Sequence, residues 1–139
     1  MSDLIATASI LTHASREKVW DALINPDAIK QYMFGTIVTT NWREGKPISW
    51  KGEWNGKPYE DTGIVLLVDP ETSLHYSHYS PLSGPDIPEN HHTVKIDLSS
   101  EGKATRITLT QDHNATEEAK AHSEKNWNQV LEGLKKYLE

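Results

Sequence analysis

At 139 residues with a formal net charge of −6, the chain is long enough to bury a core and too acidic to track a phosphate backbone, so nucleic acid is not an expected partner. It contains no cysteine, which excludes a disulfide framework and thiol catalysis. No apolar run approaches the ~18 residues of a membrane span, and Met1-Ser2-Asp3 leads into a strand pattern without a signal peptide, so a cytoplasmic protein forming a single domain over residues 1–139 is expected.

Leu4 to Thr12 is β-prone and reads as the first strand. Ser15 is placed to cap a short helix to about Ile24, and Asn25-Pro26 ends it and starts a second one to about Tyr32, since proline at the first helical position lacks only an amide that would be unpaired anyway. From Thr36 the hydrophobic period changes to two. Thr36 to Trp42 and Ile48 to Trp54 are expected strands around the turn Glu44-Gly45-Lys46-Pro47, and Asn55-Gly56 is a two-residue hairpin signal in which both positions take positive φ. A strand within Lys57 to Val68 follows. Its run Ile64-Val65-Leu66-Leu67-Val68 is apolar on both faces and has no assignable orientation. Asp69-Pro70-Glu71-Thr72 turns into Leu74 to Tyr79. The loop carrying Pro81, Gly84, Pro85 and Pro88 cannot join a sheet interior and is a candidate lid. Thr93 to Leu98 and Thr105 to Gln111, joined at Glu101-Gly102, complete the strands.

The last segment, Asn114 to Leu138, has the spacing of one long helix. Asn114 is the expected N-cap with Glu117 closing a capping box, and Lys135 and Lys136 complement the dipole at the other end. Trp127, Val130, Leu131, Leu134 and Leu138 form its buried stripe. Carried backward, that face holds Ser123, Ala119 or Lys120, and Thr116, so this half either covers a space or overhangs the sheet edge into water. The simplest architecture is a sheet curled around this helix.

Period-two alternation puts Ile48, Trp50 and Trp54 on one face, with Leu74, Tyr76 and His78, then Val94, Ile96 and Leu98, then Ile107 and Leu109 likewise inward. The seven histidines offer no metal site by spacing: His75 and His78, like His91 and His92, point to opposite faces of a strand. No metal, cofactor, phosphate-loop or nucleophile motif is present. The aromatic set Trp42, Trp50, Trp54, Tyr76 and Trp127 falls on elements that would face one another. It reads either as a bulky core or as the wall of a mostly apolar pocket with a few polar groups.

Val19-Trp20-Asp21-Ala22-Leu23-Ile24-Asn25-Pro26-Asp27, Trp42 with Gly45 and Trp50, Asp61-Thr62-Gly63, Asp69-Pro70 leading to Leu74, Thr105-x-Ile107-x-Leu109-x-Gln111 and Trp127-x-x-x-Leu131-x-x-Leu134 together resemble the activator of heat-shock protein 90 ATPase homologue family of the START-like (SRPBCC) superfamily. The resemblance covers nearly the whole chain. It implies an α+β helix-grip fold, in which a curved antiparallel sheet wraps a long C-terminal helix and two short helices follow the first strand. It also implies relatives that bind lipids, sterols, polyketides or plant hormones, some of which cyclise polyketides.

The expected function is binding of a small hydrophobic, aromatic or lipid-like ligand between sheet and C-terminal helix. Phe34, Trp42, Ile48, Trp50, Tyr76, His78, Ile96, Leu109, Ser123 and Trp127 are the expected contacts. A second reading is an interaction module acting on a chaperone ATPase, discriminated by an exposed patch and a filled interior. A third is a cyclase-like enzyme using His78 and Tyr76 as acid and base. Catalysis is not expected.

Overall fold

The computed structural model describes residues 4–54, 56–81 and 84–139, with the side chains of Trp54 and Glu89 outside that description. Among the described residues the chain runs β1 (Leu4–Thr12), α1 (Arg16–Ile24), α2 (Pro26–Tyr32), β2 (Ile37–Thr39), β3 (Pro47–Trp54), β4 (Lys57–Asp69), β5 (Ser73–Tyr79), β6 (His91–Glu101), β7 (Ala104–Asn114) and α3 (Glu117–Leu138). The strands form one antiparallel sheet in the order β1-β7-β6-β5-β4-β3-β2. The chain thus closes its last strand onto its first, and the curved sheet with α3 against it is the helix-grip architecture.

Local chemistry explains the entry helices. The Ser15 hydroxyl accepts from the Lys18 amide at 3.2 Å, and Asn25 Oδ1 accepts from the amides of Asp27 and Ala28 at 2.9 and 3.4 Å, with Pro26 opening α2. Val19, Trp20, Ala22 and Leu23 of α1 and Ala28, Ile29 and Tyr32 of α2 are buried. They meet the face of the sheet on which Ile48, Trp50, Leu74, Tyr76, Val94, Ile96, Leu98, Ile107 and Leu109 alternate inward. Val130, Leu131 and Leu134 complete this core from α3, with Trp127 and Leu138 half-buried beside them.

Several expectations change. β2 is three residues long and not seven, because the chain turns out of the sheet after Thr39: the Thr40 hydroxyl accepts from the Trp42 amide at 3.1 Å, and Trp42 adopts φ +57°. β4 acquires an orientation, with Val65 fully buried while Ile64 and Leu66 are 41% and 46% exposed. A bulge between Val65 and Leu67 accounts for the continuous apolar run that masked it. Gly56 has φ +79°, and Trp54 pairs with Lys57 around the hairpin; Asn55 and the inward placement of the Trp54 side chain lie outside the described residues.

The helix begins later than expected. Its N-cap is Thr116, whose hydroxyl accepts from the Ala119 amide at 3.0 Å. Asn114 is the last residue of β7 and is buried: Nδ2 donates to the carbonyls of Leu4 and Gln111, each at 2.9 Å, and Oδ1 accepts from the Ser123 hydroxyl at 2.9 Å. The polar first half of α3 therefore covers no space. It runs along the edge strand β1, where Glu124 accepts from the Thr7 amide at 2.9 Å.

The proline loop is not a lid either. Its described part packs on the opposite face of the sheet, where Tyr79 stacks on His91 and donates to the Gly84 carbonyl at 2.6 Å. Asn90 Nδ2 donates to the Pro85 carbonyl at 2.8 Å, and Asp86 pairs with His91. Leu82 and Ser83 lie outside the described residues.

In urea denaturation, Leu131→Ala is expected to cost about 2 to 5 kcal/mol through the cavity it leaves, and Asn114→Ala about 1 to 3 kcal/mol through buried groups left without partners. Exposed Lys125→Ala should stay within about 0.5 kcal/mol of the parent. Equal small losses at Leu131 and Lys125 would place α3 outside the core.

Candidate functional site

Two adjoining cavities lie between the sheet and α3. The first, of about 30 Å³, is walled by Trp42, Ile48, Trp50, Leu74, Tyr76, Ile96 and Leu109 from the sheet side, by Leu23, Ile29, Tyr32 and Met33 from the entry helices, and by Trp127, Val130, Leu131 and Leu134 from α3. That is room for about one water molecule in an apolar enclosure. The second, of about 70 Å³, opens toward the β3–β4 side and is lined by Met33, Thr36, Trp50, Tyr59, Asp61, Tyr76, His78 and Trp127. Met33, Trp50, Tyr76 and Trp127 belong to both walls, so these four residues form the partition between the cavities.

The partition is ordered by ring contacts and one hydrogen bond. The Trp50 ring lies 5.1 Å from Tyr76 and 5.1 Å from His78, tilted by 45° and 58°. Trp127 Nε1 donates to Gln111 Oε1 at 2.6 Å, which fixes the indole across the sheet. The three rotatable side-chain bonds of Met33 make it the most adaptable member.

The second cavity concentrates the polar groups. His78 Nε2 and Asp61 Oδ2 are 3.0 Å apart, with the side chains 28% and 16% exposed. Thr36 Oγ1 and the Tyr59 hydroxyl are 2.7 Å apart. The other Asp61 oxygen, Oδ1, is buried with no hydrogen-bond partner among the described residues. Burial pushes the phenols of Tyr76 and Tyr32 far above their ordinary range, so both stay protonated; Tyr32 donates to the Ala22 carbonyl at 3.0 Å. Tyr76 is thus poorly suited to serve as the base of a cyclase-like pair.

Next to this cluster, the His92 ring lies 6.3 Å from His78, and its Nδ1 donates to the Asp112 carbonyl at 2.8 Å. Burial lowers the His92 pKa, against the opposing pull of that hydrogen bond, and nearby His78 lowers it further. His75 faces the other side of the sheet, where it pairs with Asp97 at 3.0 Å.

The expected site residues separate into groups. Trp42, Ile48, Trp50, Tyr76, Ile96, Leu109 and Trp127 line the apolar cavity, and His78 lines the polar one. Phe34 is 71% exposed and lines neither, and Ser123 is committed to Asn114. Met33, Thr36, Tyr59 and Asp61 were not expected. A signal for two of them existed: Tyr59 and Asp61 share the parity of Val65, so orienting β4 would have turned both inward.

Since folding disfavours the proton on His92, the unfolded chain binds more protons near the ordinary value of 6.5, and stability falls as the pH is lowered through it. The urea midpoint is expected to drop between about pH 7.5 and about pH 5.5, with a shallower drop in His92→Gln. An unchanged slope in that variant would remove His92 from the titration.

Comparison with known proteins adds the following. A family model described as Activator of Hsp90 ATPase homolog 1-like protein matches residues 13–139. The solution structure of a Cytophaga hutchinsonii protein is 53% identical, with 99% of this chain aligned to 96% of that one at a TM-score of 0.87. The solution structure of the Aha1 dimer from Colwellia psychrerythraea is 23% identical over 97% of this chain and 96% of that one, at a TM-score of 0.75. CalU16 from Micromonospora echinospora is 17% identical over 99% of this chain and 85% of that one, at a TM-score of 0.75. The last two share the fold alone. No curated protein matches the chain.

Proposed function

Because this chain belongs to the family of Activator of Hsp90 ATPase homolog 1-like proteins, we propose that it uses the helix-grip interior to bind a small, flat, hydrophobic molecule. The observation that carries this reading is the shared wall: two adjoining cavities of about 30 and 70 Å³ have Met33, Trp50, Tyr76 and Trp127 in common. Ligand pockets ordinarily measure about 300 to 1,000 Å³, several times the two cavities together, so binding requires Met33 and Trp127 both to merge the two and to vacate the space they fill. That reorganisation is drawn from the affinity and points to micromolar binding. An aromatic ligand would then lie against Trp42, Trp50 and Tyr76, with its polar end toward Asp61 and His78.

Flavone serves as a probe, with tryptophan emission and the Trp50 and Trp127 indole N–H resonances as readouts. Binding should quench the emission and shift those resonances first. At about 100 times its dissociation constant the probe should add roughly 2.7 kcal/mol to native stability. Met33→Ala should tighten binding several-fold by opening the partition, whereas exposed Lys51→Ala should leave it unchanged. If neither the parent nor Met33→Ala responds to flavone, sterols or fatty acids, the interior is ordinary core.

A second reading is favoured by one feature of the surface. Phe34, 71% exposed with φ +57° in the turn after α2, precedes by three residues Ile37, 52% exposed on β2, the last strand in the sheet order. This is the patch an interaction module would use on a chaperone ATPase. Stimulation of such an ATPase that Phe34→Asp abolishes, together with silence of the interior toward every probe, would favour this reading over ligand binding.

A further inference from the structure

We propose that Asp61 is the ligand-recognition residue of the interior, and that the molecule it selects is a planar aromatic bearing a phenolic hydroxyl. The inference rests on the ligand-binding reading above and adds to it the chemistry of the ligand's polar end.

The argument begins with unequal use of one carboxylate. Oδ2 of Asp61 is taken by His78 Nε2 at 3.0 Å, while Oδ1 is buried and has no partner among the described residues. A buried carboxylate oxygen without a donor is costly, and native structures rarely leave one so without a function or a water molecule. Asp61 stands on β4 directly opposite Trp50 in the ladder, so it lies at the end of the aromatic wall that a flat ligand would stack along.

The number of free hydrogen-bonding positions narrows the ligand. Thr36 and Tyr59 each own one hydroxyl hydrogen, and their 2.7 Å contact consumes one of the two. The cavity therefore offers one carboxylate acceptor without a partner, beside the hydroxyl hydrogen left over from the Thr36–Tyr59 pair and the protonated hydroxyl of Tyr76. A phenol matches this set, giving its single O–H to Asp61 Oδ1 and accepting from one of the hydroxyls of the same lining. An ammonium group brings three donors and no acceptor, and a carboxylate brings acceptors alone against an existing negative charge. Charge assistance from the carboxylate makes the phenol contact the stronger kind of hydrogen bond.

The test compares naphthol with its methyl ether, which share the ring and the oxygen and differ in the donor hydrogen, by titration of the Trp50 and Trp127 indole resonances. The parent protein should bind naphthol about tenfold or more tighter than the ether. Asp61→Ala should reduce that preference to about twofold while leaving the ether's affinity nearly unchanged. The Asp61 carboxyl carbon resonance should shift with naphthol and not with the ether, which decides the matter without any variant if Asp61→Ala does not fold. Equal binding of both compounds by the parent would overturn this proposal alone, leaving ordered water as the partner of Oδ1. Preference retained in Asp61→Ala would assign recognition to another group and overturn it too. Binding of neither compound, nor of flavone, would overturn both this inference and the ligand-binding reading.

Discussion

The fold depends on how α3 is held where it leaves the sheet, and the side chain that holds it is Asn114. One amide joins three elements: it donates to Leu4 on β1 and Gln111 on β7, and it accepts from Ser123 on α3. The backbone turns sharply there, with His113 at φ +55°, and the ladder between β1 and β7 is irregular between Leu4 and Ala6. A residue able to donate two hydrogens and accept at the same time suits that junction, and asparagine supplies all three. With this corner fixed, Leu131 and Leu134 are delivered onto the inner face of the sheet at 2% and 1% exposure, and the first half of the helix is left along the β1 edge.

Much of the architecture was legible because the strands facing the core keep strict alternation. Trp50, Tyr76, Ile96 and Leu109 could be placed inward from parity, and all four are buried. The two capped entry helices followed from Ser15 and Asn25-Pro26. What the sequence could not reveal was decided by tertiary contacts. Asn114 has every property of a helix cap, and a strand end recruited it instead. Strand four hid its orientation behind a bulge, and with it the inward parity of Tyr59 and Asp61. Those two residues belong to the polar cavity, so the local irregularity concealed two of its eight lining residues. Phe34 misled for a different reason: expected among the ligand contacts, it stands at φ +57° in the turn after α2, exposed and lining neither cavity.

Glycine carries another part of the same story. A Cβ at Gly63 would lie 1.8 Å from the Ser77 carbonyl oxygen, so β4 and β5 approach at a distance that any side chain would forbid. The Ser77 hydroxyl uses that closeness to accept from the Ile64 amide at 2.9 Å. Gly63 is next but one to Asp61, and His78 follows Ser77. The close approach therefore sets the separation across which the imidazole meets the carboxylate. The sequence Asp61-Thr62-Gly63 thus has a physical reason to stay together, one residue supplying charge and the other the space that brings its partner near.

The interior is graded from apolar to polar along one direction. At the α3 end the walls are Leu131, Leu134, Leu74 and Ile48, whose side chains carry no hydrogen-bonding group. At the β3–β4 end stand Asp61, His78, Thr36 and Tyr59 within one cavity. Trp127 separates the two environments and is tethered through a single hydrogen bond to Gln111. Breaking one such bond costs on the order of 1 kcal/mol net, far less than unpacking the leucines behind it. Motion of the indole and of Met33 is therefore the least costly way to enlarge the interior, and it enlarges it toward the polar end. A core with no functional demand on it would gain stability from an apolar residue in place of Asp61, since the unpartnered oxygen opposes folding while the leucine-lined half favours it. The same grading would orient a ligand of the kind proposed, aromatic body toward the leucines and donor toward the carboxylate.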